Sequence, residues 1–353
     1  MTKKVVGLAV SLIMFFAFMV TLFPDSSVAG DRRISIEIPL GLPDLVEPDD
    51  NPMTVAKVEL GKMLYFDPRL SKDGTVSCAT CHDPDLGYSN ASAFGVGVAH
   101  AVGGRNTPTV LNAAYYKDQF WDGRAPSLEG QAGGPMTANV EMAGIPDSIV
   151  QNLNKIPEYR ELSMIAFGEY LSFDNIRKAI AAFERTIIAG NSPFDQFFYG
   201  GKSDAISDAA KRGKIVFDDP NKGNCKKCHT YDKNDGFFSD NQYHNVGIGY
   251  DTKKPNLGRY EVTKKAEDKG RFKTPTLRNI VHTAPYFHDG RTYSLKEAAK
   301  ICLNGIKNDN LDPEYKVKRN LTDKELDDLV EFMKALTGEL PIYAKPKLPG
   351  IDK

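Results

Sequence analysis

Two five-residue stretches, Cys78-Ala-Thr-Cys-His82 and Cys225-Lys-Lys-Cys-His229, decide the fold of this chain. Each holds two thiols with two residues between them and a histidine directly after the second thiol. With this spacing both thiols can bond to the two vinyl groups of one haem while the imidazole turns onto the iron. The sequence therefore predicts two covalently attached c-type haems. The predicted iron ligands are His82 and His229, and the attachment residues are Cys78, Cys81, Cys225 and Cys228.

A zinc site or a redox-active thiol pair is the alternative interpretation of a single Cys-x-x-Cys unit. Two copies, each followed by histidine in a chain with an export signal, favour haem attachment instead. Four of the five cysteines are used in this way, which leaves only Cys302. The chain therefore has no disulfide framework.

The first residues have the pattern of a secretory signal peptide. Lys3 and Lys4 precede an apolar run over 5–23, and Ser27-Val28-Ala29 supplies the small residues of a cleavage site. We expect residues 1–29 to be a signal peptide that directs the protein to the periplasm. Because the apolar run is long, an uncleaved membrane anchor is the competing interpretation.

The composition is that of a globular protein with room for two domains. The chain has 353 residues, of which 41% are hydrophobic and 26% charged, so it can bury a substantial core. The formal net charge of -1 argues against a nucleic-acid partner.

Helical periodicity recurs along the chain, and strand signals are short and scattered. Similar helical stretches at 54–66 and 204–217 precede the two cysteine motifs, and further helices are predicted at 173–188, at 296–303 and after the capping box at 322–325. Residues 239–273 lack periodicity and are predicted to form a long loop around a haem. The predicted fold class is mainly α, with cytochrome c-like domains at 30–200 and 201–353, each enclosing one covalently bound haem.

Longer motifs around the two haem sites resemble those of a known family. They are Leu60-Gly-Lys-Met-Leu-Tyr-Phe-Asp-Pro-Arg69, Arg105-Asn-Thr-Pro-Thr-Val-Leu-Asn112, Gln119-Phe-Trp-Asp-Gly-Arg-Ala125, Val140-Glu-Met142, Leu277-Arg-Asn279 and Thr283-Ala-Pro-Tyr-Phe-His-Asp-Gly290. In this order, from about residue 52 to residue 340, the chain resembles the bacterial dihaem cytochrome c peroxidases, a family that includes the MauG-type enzymes.

The resemblance implies a peroxidase that reduces hydrogen peroxide to water at the N-terminal haem. Electrons would enter at the C-terminal haem from a small soluble cytochrome c or cupredoxin, and the enzyme would be a homodimer. Trp121 matches the residue between the haems, Glu141 the acid that moves the proton, and Gln131 and Pro135 their distal-side neighbours. Without the resemblance, Trp121 could equally be a core residue and Glu141 a solvated one.

The resemblance also implies one calcium ion between the domains. Asn106 would bind it through its side chain, and Thr283 and Pro285 through their backbone carbonyls. Oxygen ligands of this kind suit calcium. By sequence alone the three would be ordinary turn residues.

Two positions depart from the family pattern. The histidine that caps the peroxidatic iron in the classical enzymes aligns with Val98, and His100 lies two residues away. Either His100 reaches the iron from its glycine-rich loop, or that iron is open, as in MauG-type enzymes. The distal ligand of the C-terminal haem, Met in the peroxidases and Tyr in MauG, aligns with Cys302. We expect Cys302 to be an iron ligand, and the alternative is a small buried apolar residue.

Three functions are compatible with these features. The first is the peroxidase just described. The second is a MauG-like oxidase, which would use a high-valent dihaem state to oxidise a protein or small-molecule substrate. The third is a dihaem electron carrier with both irons capped, which a distal acid at Glu141 argues against.

Overall fold

The computed structural model describes residues 32–341 and 343–351, so the predicted signal peptide at 1–29 lies outside the described residues. The α-helices are α1 Val55–Phe66, α2 Cys78–Cys81, α3 Leu128–Thr137, α4 Pro146–Leu153, α5 Pro157–Phe167, α6 Phe173–Glu184, α7 Pro193–Phe198, α8 Asp208–Asp218, α9 Tyr260–Thr263, α10 Leu295–Asn304 and α11 Asp323–Lys334. Short 3-10 turns connect them. The mainly α prediction is confirmed, and no helix within the described part is long and apolar enough to cross a bilayer.

The predicted long loop at 239–273 contains some regular structure after all. Strands β1 Tyr243–His244 and β2 Phe272–Lys273 pair antiparallel, and α9 lies between them. The rest of the segment is mostly loop, as predicted, and the short elements were not predicted because strands of two residues are too short to show a period in the sequence.

Each half of the chain is built on one close helix crossing. In the first half α1 crosses α6, and in the second half α8 crosses α11. A glycine lies at each crossing, since a Cβ at Gly61 would lie 1.8 Å from the Ala179 carbonyl oxygen and one at Gly213 would lie 1.9 Å from that of Asp328. The helix backbones therefore approach each other directly, without a side chain between them.

A second pair of equivalent segments follows the haem motifs. Residues 107–112 read Thr-Pro-Thr-Val-Leu-Asn and residues 274–279 read Thr-Pro-Thr-Leu-Arg-Asn. Asn112 and Asn279 both adopt the left-handed conformation, with φ of 59° and 57°. Their side-chain amides donate to the carbonyls of Ala189 and Gly338, at 3.0 and 2.8 Å. Each segment is thereby tied to the chain that follows the long helix of its own half.

Two hydrophobic cores correspond to the two halves. The first core extends as far as Ala189, and the second begins at Phe194 on α7. Helix α7 therefore packs in the second core, although the predicted boundary near residue 200 assigned it to the first domain. The reason is the aromatic character of α7, whose Phe194 ring contacts those of Tyr231, Phe238 and Phe332.

Residues 338–341 and 343–349 return to the first half after α11. The Tyr343 hydroxyl donates to the Thr186 carbonyl at 3.2 Å, and the Tyr88 hydroxyl donates to the Pro341 carbonyl. Arg69 Nη1 donates to the Pro349 carbonyl at 2.8 Å. This returning segment forms a strap across the first core.

We expect Gly213→Ala to destabilise the second half by about 1–3 kcal/mol, because the added methyl would meet the backbone of α11 rather than a movable side chain. Thermal unfolding followed by circular dichroism measures this. Gly130→Ala is the matched control, since a Cβ at this helical glycine meets its nearest atom at an ordinary 3.5 Å. Equal melting temperatures for the two variants would contradict the close crossing.

Candidate functional site

The first cysteine motif forms a single helical turn that ends at the histidine. Ser77 and Thr80 form a capping box at the start of α2, and His82 is its C-cap. His82 Nδ1 lies 3.3 Å from the Tyr88 carbonyl oxygen, and the Tyr65 hydroxyl donates to the His82 carbonyl at 2.8 Å. Burial lowers the pKa of His82 to about 4, so the imidazole is neutral. With Nδ1 held by a carbonyl, Nε2 is the nitrogen left to face an iron.

The second motif repeats this arrangement. Cys225–Lys227 form a 3-10 turn, and His229 Nδ1 lies 3.2 Å from the Phe238 carbonyl oxygen. Burial lowers the pKa of His229 as well. The two accepting residues, Tyr88 and Phe238, both have the left-handed backbone conformation, with φ of 56° and 60°. The same uncommon backbone conformation therefore positions the carbonyl that orients each histidine ring.

Each motif lines a cavity that fits a haem. In each cavity the two thiols of the motif and the imidazole line the same space. Thiols for two thioether bonds and a neutral imidazole for the iron are the donor set that a c-type haem requires. Such a group supplies a redox-active iron, and the opposite wall of each cavity decides what can reach it.

The first cavity is also lined by predicted catalytic residues. Glu141, Gln131 and Pro135 all line this cavity. The Glu141 backbone is fixed, because its carbonyl accepts from Val98 N–H at 2.8 Å and its own N–H donates to the Ala138 carbonyl at 3.0 Å. Burial raises the pKa of Glu141, and the positive charge of Arg124 opposes this rise. The sequence interpretation of Glu141 did not include Arg124, which lines the same cavity.

His100 does not line the first cavity. Its side chain is exposed and is not among the residues that line the first cavity, whereas Val98 is buried. Ala99 and His100 have φ of 52° and 59°, and this turn directs His100 to the surface. In this conformation the structure does not bring His100 and His82 to the same cavity.

Cys302 lines the second cavity together with His229. It occupies the eighth position of α10, and Pro135 occupies the eighth position of α3 in the first half. Burial raises the pKa of the Cys302 thiol to about 12, so the thiol is protonated unless a metal ion binds the sulfur. Tyr315 lines the same space and is a residue that the sequence interpretation missed.

Trp121 lies between the two cavities and lines both of them. Its indole N–H donates to the Asn106 carbonyl at 2.9 Å, and the Asn106 N–H donates to the His288 carbonyl at 2.7 Å. The Trp121 and His288 rings meet edge to face at 6.4 Å, and His288 stacks on Phe272 at 3.6 Å. A row of three rings thus extends from Trp121 along the second cavity.

His288 is a second residue that the sequence interpretation did not single out. An internal repeat in the sequence could have indicated it. The motifs Phe120-Trp-Asp-Gly-Arg124 and Phe287-His-Asp-Gly-Arg291 match at four of five positions, and His288 aligns with Trp121. His288 is buried, and its Nε2 has no hydrogen-bond partner among the described residues. Asn106, Thr283 and Pro285 also line the second cavity beside these rings.

Comparison with known proteins agrees with this architecture. Residues 55–203 match a model for the family described as di-haem cytochrome c peroxidase, and residues 210–337 match a cytochrome c model. The prediction of two cytochrome c-like domains is thereby confirmed, and two c-type haems are implied.

Several characterised relatives cover most of the chain. The methylamine utilization protein MauG of Methylorubrum extorquens is 39% identical over 86% of this chain and 84% of its own length. The cytochrome c551 peroxidase of Pseudomonas aeruginosa is 37% identical over 85% of this chain and 84% of its own. A crystal structure of a MauG-like protein associated with microbial copper homeostasis superposes with a TM-score of 0.79 at 28% identity, covering 87% of this chain and 96% of that one.

Proposed function

The chain belongs to the di-haem cytochrome c peroxidase family, and from this membership we propose that it reduces hydrogen peroxide to water at the N-terminal haem site. Each peroxide takes two electrons and two protons and yields two water molecules. The observation that carries the proposal is the position of Glu141, a carboxyl with a raised pKa on a hydrogen-bonded backbone, in the same cavity as His82 and both thiols of the first motif.

Glu141 is the residue proposed to move the proton. Its carboxylate takes a proton from one peroxide oxygen and returns it to the other as the O–O bond breaks. Gln131 is proposed to hold the bound peroxide through a hydrogen bond. Pro135 has no side-chain donor atom, so it would not compete with peroxide for an iron held by His82.

Electrons are proposed to enter at the C-terminal haem site and to reach the first site past Trp121. The support is that Trp121 lines both cavities and is held by the Asn106 carbonyl. The donor would be a small soluble cytochrome c or cupredoxin. We also propose export to the periplasm by residues 1–29, and a homodimeric assembly as in the resembling family.

A calcium ion is proposed between the two halves. Asn106, Thr283 and Pro285 come from both halves of the sequence and line one wall of the second cavity. The Asn106 side-chain amide donates to the Ser92 carbonyl at 3.1 Å, so its side-chain nitrogen is already used and the oxygen is the atom proposed to bind the cation. Oxygen ligands with water completing the shell suit calcium.

A MauG-like oxidase is the second candidate, and the placement of Cys302 favours it. Cys302 occupies the helix position that is Pro135 in the first half, so the sulfur is the donor proposed for the second iron. A thiolate donor stabilises ferric iron and higher oxidation states. Such a site would suit withdrawal of electrons from a protein or small molecule.

Addition of peroxide to the fully oxidised and to the half-reduced protein distinguishes the candidates. A peroxidase that needs an electron at the second haem reacts rapidly only when half-reduced, and it turns over with a reduced small cytochrome c. A MauG-like oxidase reacts when fully oxidised and then keeps a long-lived oxidised state without a donor. No reaction in either state would overturn both proposals and leave an electron carrier.

Glu141→Gln should slow the reaction with peroxide by about 10²–10⁴-fold, because the amide cannot accept the proton. In the wild type, the rate should fall as the pH drops through the pKa of Glu141, because the carboxylate becomes protonated. Since this pKa is raised, the fall should begin at a higher pH than for an ordinary glutamate. Stopped-flow rates between pH 4 and 8 measure both effects. Glu158→Gln, which changes an exposed carboxyl on α5, is the control for non-specific charge effects, and an unchanged rate in Glu141→Gln contradicts the assigned role.

Cys302→Ala should change the electronic and spin-resonance spectra of the C-terminal haem, because it removes the proposed sulfur donor. Cys302→Met should restore a six-coordinate iron with the spectrum of a thioether ligand. The N-terminal haem should keep its spectrum in both variants. An unchanged C-terminal haem spectrum in Cys302→Ala would show that Cys302 is only a buried apolar residue.

A further inference from the structure

Glu184, the last residue of α6, is a buried carboxyl group in the first cavity. It lines this cavity together with Cys78 and Cys81, and it is only 5% exposed. Its Oε2 atom has no hydrogen-bond partner among the described residues. Buried carboxyl oxygens without partners are rare, because desolvation is costly, and each one calls for a reason.

Nearby cations do not neutralise Glu184. The adjacent Arg185 pairs instead with Glu129 on α3, Nη1 to Oε1 at 2.7 Å. No ion pair in the described part of the chain includes Glu184. The Tyr65 hydroxyl on α1, which faces the same region, donates to the His82 carbonyl and so is not available to the carboxyl.

The titratable groups that face Glu184 are therefore Tyr65, Cys78, Glu129 and Arg185. Burial raises the pKa of Tyr65 well above its usual range, so this phenol keeps its proton. Hydrogen bonds and charge from Arg185 lower the pKa of Glu129 to about 2, so this carboxylate stays ionised. Burial raises the pKa of Glu184 to about 8. Among these groups Glu184 is the one that changes its charge near neutral pH.

We propose that Glu184 is a redox-linked proton site of the N-terminal haem, binding a proton when an electron arrives there and releasing it when the electron leaves. The proposal rests on haem attachment at Cys78 and Cys81. The donor or an electrode supplies the electron, solvent supplies the proton, and the carboxylate becomes a carboxylic acid. One negative charge added by the electron is thus balanced by one proton bound at Glu184.

The electrostatic argument gives the direction of this coupling. An added electron makes the cavity more negative, and a nearby negative charge favours the protonated form of a carboxyl. The low dielectric of the buried surroundings strengthens the interaction. The pKa of Glu184 is therefore higher in the reduced than in the oxidised protein, and between these two values reduction takes up a proton. In that pH window the midpoint potential of the N-terminal haem falls as pH rises.

The same carboxyl serves the proposed peroxide reaction. Glu141 moves a proton within the peroxide, but the two protons that end in water must come from elsewhere. A proton bound at Glu184 upon reduction is stored beside the cavity before peroxide arrives. Glu184 does not line the second cavity, so the coupling is specific to the first haem.

Spectroelectrochemical titration of the holoprotein between pH 6 and 10 tests the proposal. In the wild type we expect a pH-dependent midpoint potential for the N-terminal haem, corresponding to a roughly tenfold change in the acid dissociation constant between redox states. In Glu184→Gln this dependence should vanish. Glu158→Gln, which changes an exposed carboxyl on α5, should keep it, and the haem whose spectrum stays unchanged in Cys302→Ala is the N-terminal one. The same pH dependence in Glu184→Gln and wild type would overturn the proposal.

A measurement on the wild type alone covers the case in which Glu184→Gln does not fold. Reduced-minus-oxidised infrared difference spectra at pH 8 to 9 should show a protonated carboxyl band that appears upon reduction and shifts in heavy water. Its absence would overturn the proposal. A pyridine haemochrome assay separates this outcome from failure of the proposed function, because a chain without two thioether-bound haems would fail there first.

Discussion

The hydrogen bond from a proximal imidazole to a backbone carbonyl is the interaction on which both halves of this protein depend. His82 and His229 are each aimed by the carbonyl of an aromatic residue in the left-handed conformation, Tyr88 or Phe238. Such a conformation is unfavourable for a large side chain and persists only where the surroundings enforce it. The surroundings here are the equivalent Thr-Pro-Thr segments, in which the Thr109 and Thr276 hydroxyls donate to the carbonyls just before Tyr88 and Phe238.

The two halves use similar helices around their cavities but carry different residues at one equivalent helix position. The helices α3 and α10 begin with equivalent serine caps and carry Pro135 and Cys302 at the same position. A proline offers no donor atom to an iron, whereas a cysteine offers sulfur. The two cavities therefore differ in the donor atom that this helix position offers, although the helices that carry it begin alike.

The haem sites and the helical fold were predictable from the sequence because they depend on local patterns. Cysteine spacing and helical periodicity locate His82, His229 and most of the long helices without any knowledge of distant contacts. The helix crossings at Gly61 and Gly213 were not predicted, because a glycine in a helical sequence does not indicate which other helix packs against it. The surface position of His100 depends on two left-handed residues in succession, and the chemistry of Glu184 on the absence of a partner. Neither property is encoded in a single stretch of sequence.

The strap formed by residues 338–341 and 343–349 completes the first half only at the end of the chain. Tyr343 and the Pro341 and Pro349 carbonyls complete contacts with residues near the first haem site, yet they come after the whole of the second half. In connectivity, the second half is an insertion within the first. During synthesis the first half therefore emerges before the second half, but its last contacts form only when the end of the chain is available. A chain that ended after α11 would thus lose contacts of the first core, although the missing segment follows the second half in sequence.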